Sequence, residues 1–283
     1  MTELTIPLPS TTHPAFTHLI LLCGHATYLG PTTPSSASLD EQNWSLQSFQ
    51  RSNPTTHKPG EHHTFLSHIH TAASLAASTP SSLLIFSGRQ TTPTEPSNPE
   101  ALTEAQSYAR LLRMHLSALQ RSSSSEEKVN YACDNSATDS YQNLLFSILR
   151  FRQLTHSYPA QVTVVTHAFK APRFLHLHGP AIKFPAHQLR VLGINPPFTA
   201  QEFEETEVAE SERGYAPWKV DLYGVGAVLG RKRMERGWDD ERAKDGWMSE
   251  LRGEVRELLE WQGGSTGREI FPKTLPWEAE NVE

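Results

Sequence analysis

The chain has 283 residues, enough to bury a full core and close to the limit of about 250 to 300 for a single one. Its 25 lysines and arginines against 31 acidic residues leave a net charge of -6, and no basic block is long enough to track a phosphate backbone, which argues against nucleic acid as a partner. Two cysteines, Cys23 and Cys133, are too few for a disulfide framework and form no metal-type CxxC pair; their places at strand ends predict reduced core thiols.

The N-terminus, MTELTIPLPSTTHPAF, lacks the basic start and apolar h-region of a signal peptide. The first apolar stretch, Leu19 to Cys23, is far short of the roughly 20 residues that cross a bilayer. The expectation is a soluble cytoplasmic protein with no membrane partner.

His18 to Gly24 (HLILLCG) reads as a buried strand running into His25. Tyr28 to Gly60 follows, rich in Pro, Ser and Thr and holding Trp44, Leu46 and Phe49. A segment of that length inside a compact domain reads as a surface insertion pinned by its aromatics. Phe65, Ile69, Ala72, Ala73 and Ala76 share one face of a first helix. A second strand, Ser82 to Phe86 (SLLIF), ends in Ser87-Gly88-Arg89-Gln90, and a Pro- and Thr-rich loop carries the chain to Thr103-Glu104-Ala105. There a second helix starts, with Leu102, Ala105, Ala109, Leu112 and Leu116 on its apolar side.

Ser122 to Ser125 reads as a flexible loop before a third strand, Lys128 to Ala132, which leads to Asp134. A third helix, about Ser140 to Leu154, carries Tyr141, Leu144, Leu145, Ile148 and Leu149, and Asp139 and Gln142 precede and open it at capping-box spacing. The fourth strand, Gln161 to Val165, runs into Thr166-His167-Ala168-Phe169-Lys170, and Pro172 suits a helix start. Gln188 to Gly193 is a fifth strand. Beyond it, Gln201 to Arg213 holds six glutamates and reads as a solvated loop or short exposed helix. Gly246 to Trp261, with Trp247, Leu251, Val255, Leu258 and Leu259 at helical spacing, predicts a terminal helix packed on the sheet.

This alternation predicts an α/β fold with a mainly parallel sheet of about five strands and helices on both faces. The whole of 1–283 reads as one domain, with a core over 18–195, the insertion at 28–60 and a C-terminal extension from 196. Carboxyl ends of parallel strands share one edge, where ligands bind. The scattered polar residues beyond them should therefore meet, and His25, Arg89, Glu104, Asp139, Asn143, Lys170 and Arg173 are expected to line one pocket.

Their chemistry is less legible than their location. Gly88 lets a backbone approach a ligand and Arg89 forks onto a carboxylate or phosphate, unless the segment is an ordinary turn with a surface arginine. Ser87 lacks the GxSxG surroundings of a nucleophile. Asp139 is either a ligand-side carboxylate or a helix cap, two compatible roles. Thr166, Lys170 and Arg173 crowd a helix start, a place suited to phosphate, carboxylate or a nucleotide. Fourteen histidines bring metals to mind, but His62, His63, His68 and His70 have no ligand spacing and read as a solvated helix surface; no metal is expected. His176 and His178, two apart, should point different ways.

At these residues the chain resembles the SanA, ElyC and YdcF-like family of unknown function, in particular a soluble fungal branch. The resemblance covers roughly His18 to Asn195, with a weaker extension through Asp221-Leu222-Tyr223-Gly224. It rests on Gly24, on Ser87, Gly88, Glu104 and Ala105, on Asp139, Ser140 and Asn143, and on Thr166, Phe169 and Arg173. It implies a Rossmann-like three-layer sandwich. It also brings S-adenosylmethionine as a ligand associated with one YdcF-like member, although no GxGxxG turn accompanies it here. Bacterial members commonly carry His where this chain has Lys170.

The reading that follows is a protein binding a small anionic ligand, phosphorylated or nucleotide-like, with transfer or hydrolysis as the chemistry. Arg89, Lys170 and Arg173 hold the anion, Glu104 and Asp139 act as acid-base or orienting groups, and Ser140, Asn143 and Thr166 supply hydrogen bonds, with Gly24, His25, Ser87 and Gly88 at the turns. The alternative is a non-catalytic binding protein that uses the insertion or the extension as a partner surface.

Overall fold

The computed structural model describes residues 16–90, 102–122, 129–245 and 247–281. The N-terminal stretch before Phe16, the Pro- and Thr-rich loop after Gln90, most of the Ser122 to Ser125 patch and Lys128 of the expected third strand lie outside them.

The sheet is built from β1 (His18–Cys23), β2 (Ser82–Ser87), β3 (Tyr131–Asp134), β4 (Gln161–Thr166) and β5 (Leu189–Gly193), all parallel, in the order β3-β2-β1-β4-β5. Strands covered on both faces need apolar residues at every position, and this is why the central runs show no alternation. In β1, Leu19 and Leu21 pack to one side while Ile20 and Leu22 pack to the other, all fully buried. Helices α1 (His62–Ser78) and α2 (Glu104–Ser122) cover the second face, and α3 (Ser140–Thr155) and a helical run α4 over 168–181 cover the first. The result is a Rossmann-like three-layer sandwich.

The third strand sits further along than the apolar pattern suggests. β3 begins at Tyr131 rather than Lys128 and includes Asp134, because its register is set by β2, with Leu84 opposite Tyr131 and Ser87 opposite Asp134. That pairing lets the Ser87 hydroxyl donate to Asp134 Oδ2 at 2.7 Å, a bond that offsets burial of a carboxylate. At the start of α3, Asp139 is extended (φ -151°, ψ 175°) and accepts the Gln142 amide at 2.9 Å. The Gln142 side chain returns the bond to the Thr138 amide instead of to Asp139, so the capping box is displaced by one residue.

The solvated-surface expectation for the α1 histidines fails at His62 and His68. Both are buried because neighbouring chain covers that flank and supplies acceptors: His62 Nε2 lies 3.0 Å from Leu39 O and His68 Nε2 2.8 Å from Ile194 O. His63 and His70 are exposed, and His176 and His178 do diverge, with His178 buried and His176 exposed.

The insertion is held to the core by a two-residue antiparallel ladder, Thr27 with Ser45 and Tyr28 with Trp44. Trp44 is buried against Tyr28 and donates its indole N–H to Ser38 O at 2.9 Å, and Leu46 is buried beside it. Phe49 is 69% exposed and pins nothing.

In the extension, a helical run α5 over 200–220 starts with a reciprocal box between Thr199 and Glu202 and contains a π turn at Glu210–Tyr215. α6 (Ala227–Glu235) follows. The terminal helix α7 (Gly253–Glu260) is shorter than expected, since Trp247–Glu250 forms a 3-10 turn and the chain is extended at Arg252 (φ -136°, ψ 167°). Val255, Leu258, Phe271 and Trp277 still close the core on the α3 and α4 side. No helix among the described residues is long and apolar enough to cross a membrane.

If Trp44 anchors the insertion, Trp44→Ala should lower unfolding free energy by about 3 to 5 kcal/mol, while Phe49→Ala should stay within about 0.5 kcal/mol of wild type. Urea denaturation of the two variants measures the contrast.

Candidate functional site

β1 and β2 end side by side. The amide of Gly24 donates to Ser87 O at 2.8 Å, carrying the ladder one residue past each strand, and the amide of Ala105 donates to Gly88 O at 3.1 Å, which docks the first turn of α2 there. Glu104 is thereby pressed between two glycines. A Cβ on Gly24 would stand 2.6 Å from both Cβ and Oε2 of Glu104, and one on Gly88 would stand 3.0 Å from Oε2; Gly88 also has φ 153°. A side chain at either position would displace the carboxylate or strain the turn.

Above this seat, at the carboxyl ends of the strands, opens a cavity of about 840 Å³. β1 contributes Gly24 and His25, β2 contributes Gly88, and Glu104 comes from the start of α2. The head of α3 supplies Asp139, Ser140 and Asn143, while β4 and the turn after it supply Thr166, Lys170 and Arg173. The sheet order explains the convergence: the chain reverses beside β1, so the ends of β1 and β4 flank a crevice.

Two expected members are elsewhere. Ser87 is the last residue of its strand and faces inward, sharing its hydroxyl proton between Asp134 Oδ2 and Asn143 Oδ1 (3.1 Å), so it positions Asn143 from beneath. Arg89 does not line the cavity. Its amide is tied to Ala137 O at 2.7 Å, and its guanidinium lies against Gly237 of the extension. The local sequence carries no sign of that distant glycine.

Three ion pairs hold other charges of the cavity. Arg173 makes a bidentate bridge to Glu210, with Nε donating to Oε1 at 2.7 Å and Nη2 to Oε2. Asp139 accepts from Arg233 of α6 as well as from its own helix, and both side chains are 9% exposed. Lys58 of the insertion pairs with Glu61 at 3.2 Å. Glu210, Arg233, Lys58 and Glu61 all line the cavity. None of the four is marked by a motif.

Lys170 is different. No carboxylate among the described residues makes an ion pair with it; its ammonium donates to His25 Nδ1 at 3.2 Å. Because an ammonium only donates, Nδ1 of His25 is the acceptor and the ring proton sits on Nε2, 3.3 Å from Thr166 Oγ1. Desolvation, then the nearby Arg173 guanidinium, lower the Lys170 pKa to about 8, with Glu210, Cys23 and Glu61 opposing.

Three imidazoles, His25, His68 and His167, cluster around this point in tilted and edge-on contacts with ring centroids 4.4 to 5.6 Å apart. Burial, and after it Lys170 for His25 and His167, push the pKa of both well below the usual histidine range, and burial lowers His68 to about 4. All three are neutral at pH 7. No group of His, Cys, Asp and Glu among the described residues is arranged to hold a metal ion.

Other nucleophile candidates are disabled by their surroundings. Burial pushes the Cys23 thiol up to about 12, so no thiolate forms near neutrality. Ser140 Oγ lies 2.8 Å from His178 Nε2 and receives Arg173 Nη1 at 3.3 Å. His178 is a poor base: burial first, then Arg173 and Arg233, disfavour its protonated form.

No family model matches the chain, and no solved structure matches it. Over 213 residues, 63% of this chain and 67% of the relative, it is 28% identical to the uncharacterized protein YOR238W of Saccharomyces cerevisiae.

Two outcomes follow. Replacing Asp139 by Asn keeps an N-cap but leaves Arg233 buried without a counter-ion, at an expected cost of about 3 to 5 kcal/mol, most of which the double variant Asp139→Asn/Arg233→Met should restore in urea melts. The folded-state pKa of His68 lies below its unfolded value, so the unfolded chain gains a proton that the folded one refuses as pH falls through 6.5. Stability should drop between pH 6.5 and 4, with His68 alone contributing about 3 kcal/mol of the loss, and His68→Gln should flatten that slope.

Proposed function

We propose that the chain binds a small anionic ligand, phosphorylated or nucleotide-like, in the crevice between the ends of β1 and β4. The observation that carries this reading is Lys170: a cation in the middle of a ligand-sized cavity, partnered by a neutral imidazole and not by a carboxylate. An uncompensated cation in a partly desolvated site is a strong anchor for an incoming anion. Thr166 and the head of α3 stand on the same wall to supply hydrogen bonds. Arg173, by contrast, positions the wall through Glu210, and Asp139 is held by Arg233.

The order of Gly24, the Ser87-Gly88 turn with Glu104, the Asp139-Ser140-Asn143 helix head and the Thr166 to Arg173 segment supports a place beside the SanA, ElyC and YdcF-like proteins, and S-adenosylmethionine therefore belongs in a ligand panel. A second reading, a binding protein without turnover, draws on the ion pair that holds Asp139, one of the two carboxylates assigned to acid-base work.

Sulfate is a suitable probe because its charge is constant over the range tested. Calorimetry should give a sulfate affinity that falls as pH rises through about 8, where Lys170 loses its proton, and Lys170→Ala should lose about 10-fold or more at pH 7, in keeping with a charge-assisted contact of roughly 1.5 to 3 kcal/mol. Affinity unchanged in Lys170→Ala would refute the anion site. S-adenosylmethionine and phosphorylated sugars, scored by the rise in melting temperature, then rank the candidates.

A further inference from the structure

The Lys170 side chain has a second capacity that anion binding does not use. Its nitrogen lies against the lone pair of His25 Nδ1, which orients it, and faces the cavity beside the buried imidazole of His167. A carboxylate partner would lock the group as an ammonium; none among the described residues does so, and the Arg173 guanidinium nearby disfavours that form. A lysine that is partly desolvated and beside a second cation is the arrangement that activates an amine toward carbonyl carbon. The same cavity carries Arg213, Lys232 and Arg236, which can receive an acidic group on the substrate while the amine meets its carbonyl.

We propose that Lys170 is a nucleophilic amine that forms a Schiff base with an aldehyde or ketone bearing a phosphate or carboxylate, with His25 accepting an N–H of the amine and so orienting it. The inference rests on the anion-site reading and extends it to the class of substrate. In the step, the nitrogen lone pair forms the C–N bond and one amine proton passes to the former carbonyl oxygen, giving a carbinolamine hydroxyl. That hydroxyl takes up the second amine proton and leaves as water while the nitrogen lone pair closes the C=N bond. Nothing is oxidised or reduced.

Pyridoxal 5'-phosphate, an aldehyde with a phosphate, tests this on the wild-type protein. At pH 8 with less than one equivalent, borohydride reduction followed by peptide mass spectrometry should find the label on Lys170 at least about 10-fold over exposed Lys273, whose ammonium form Glu257 favours. Saturating sulfate should slow the labelling, and pyridoxal without its phosphate should react more slowly. If Lys170 reacts no faster than Lys273 in protein that binds sulfate, the amine is overturned and the anion site stands. If pyridoxal and its phosphate label Lys170 equally, the anionic class of substrate is overturned. If sulfate neither binds nor protects and Lys170 is unlabelled, both readings fall together.

Discussion

The site depends first on how closely the start of α2 approaches the ends of β1 and β2. Glu104 occupies the space that side chains at Gly24 and Gly88 would fill, and the Ala105 amide ties the helix to Gly88 O. This contact fixes where the helix begins and sets the floor of the crevice. It also brings a buried carboxylate under the strand ends, so the rim must be organised around charge from the outset. A protein interior tolerates such a group only when its surroundings compensate it.

Part of the charge in the cavity is matched within it. Arg173 is matched by Glu210, Asp139 by Arg233 and Lys58 by Glu61, each a pairing in which removing one partner would strand the other in a poorly solvated place. Matched pairs of this kind shape a wall but have little charge left to offer a ligand. Lys170, held against a neutral ring, has no such carboxylate partner among the described residues, and desolvation followed by the Arg173 guanidinium lowers its proton affinity.

The strands were legible because a sheet covered on both faces demands uninterrupted apolar runs, as Leu19 to Cys23 and Leu83 to Phe86 supply. The shared strand-end edge then followed from topology, which is why residues as distant as Gly24 and Arg173 could be placed together. The shift of β3 was not legible, since an edge strand takes its register from a neighbour and not from its own hydrophobicity. Burial of His62 and His68 depended on the carbonyls of Leu39 and Ile194, far away in sequence. Arg89 and Arg173 looked equivalent as basic residues beside a strand end; the difference lies in Gly237 and Glu210, and nothing in the acidic run Gln201 to Arg213 marks Glu210 as the one that turns inward. Pattern reading finds where a side chain starts, whereas its partner is a property of the folded chain.

The walls of the cavity come largely from segments outside the alternating core: Gln47, Phe49, Lys58 and Glu61 from the insertion and its junction with α1, and Phe198, Glu205, Glu210, Lys232 and Arg236 from the extension. The cavity thus has two sources, a floor made by strand ends and helix starts and a surrounding collar made by added chain. Selection acting on the collar can change what enters without disturbing the sheet. The separation is incomplete at one point, because Asp139 of the floor is held by Arg233 of the collar, so a change there reaches the head of α3.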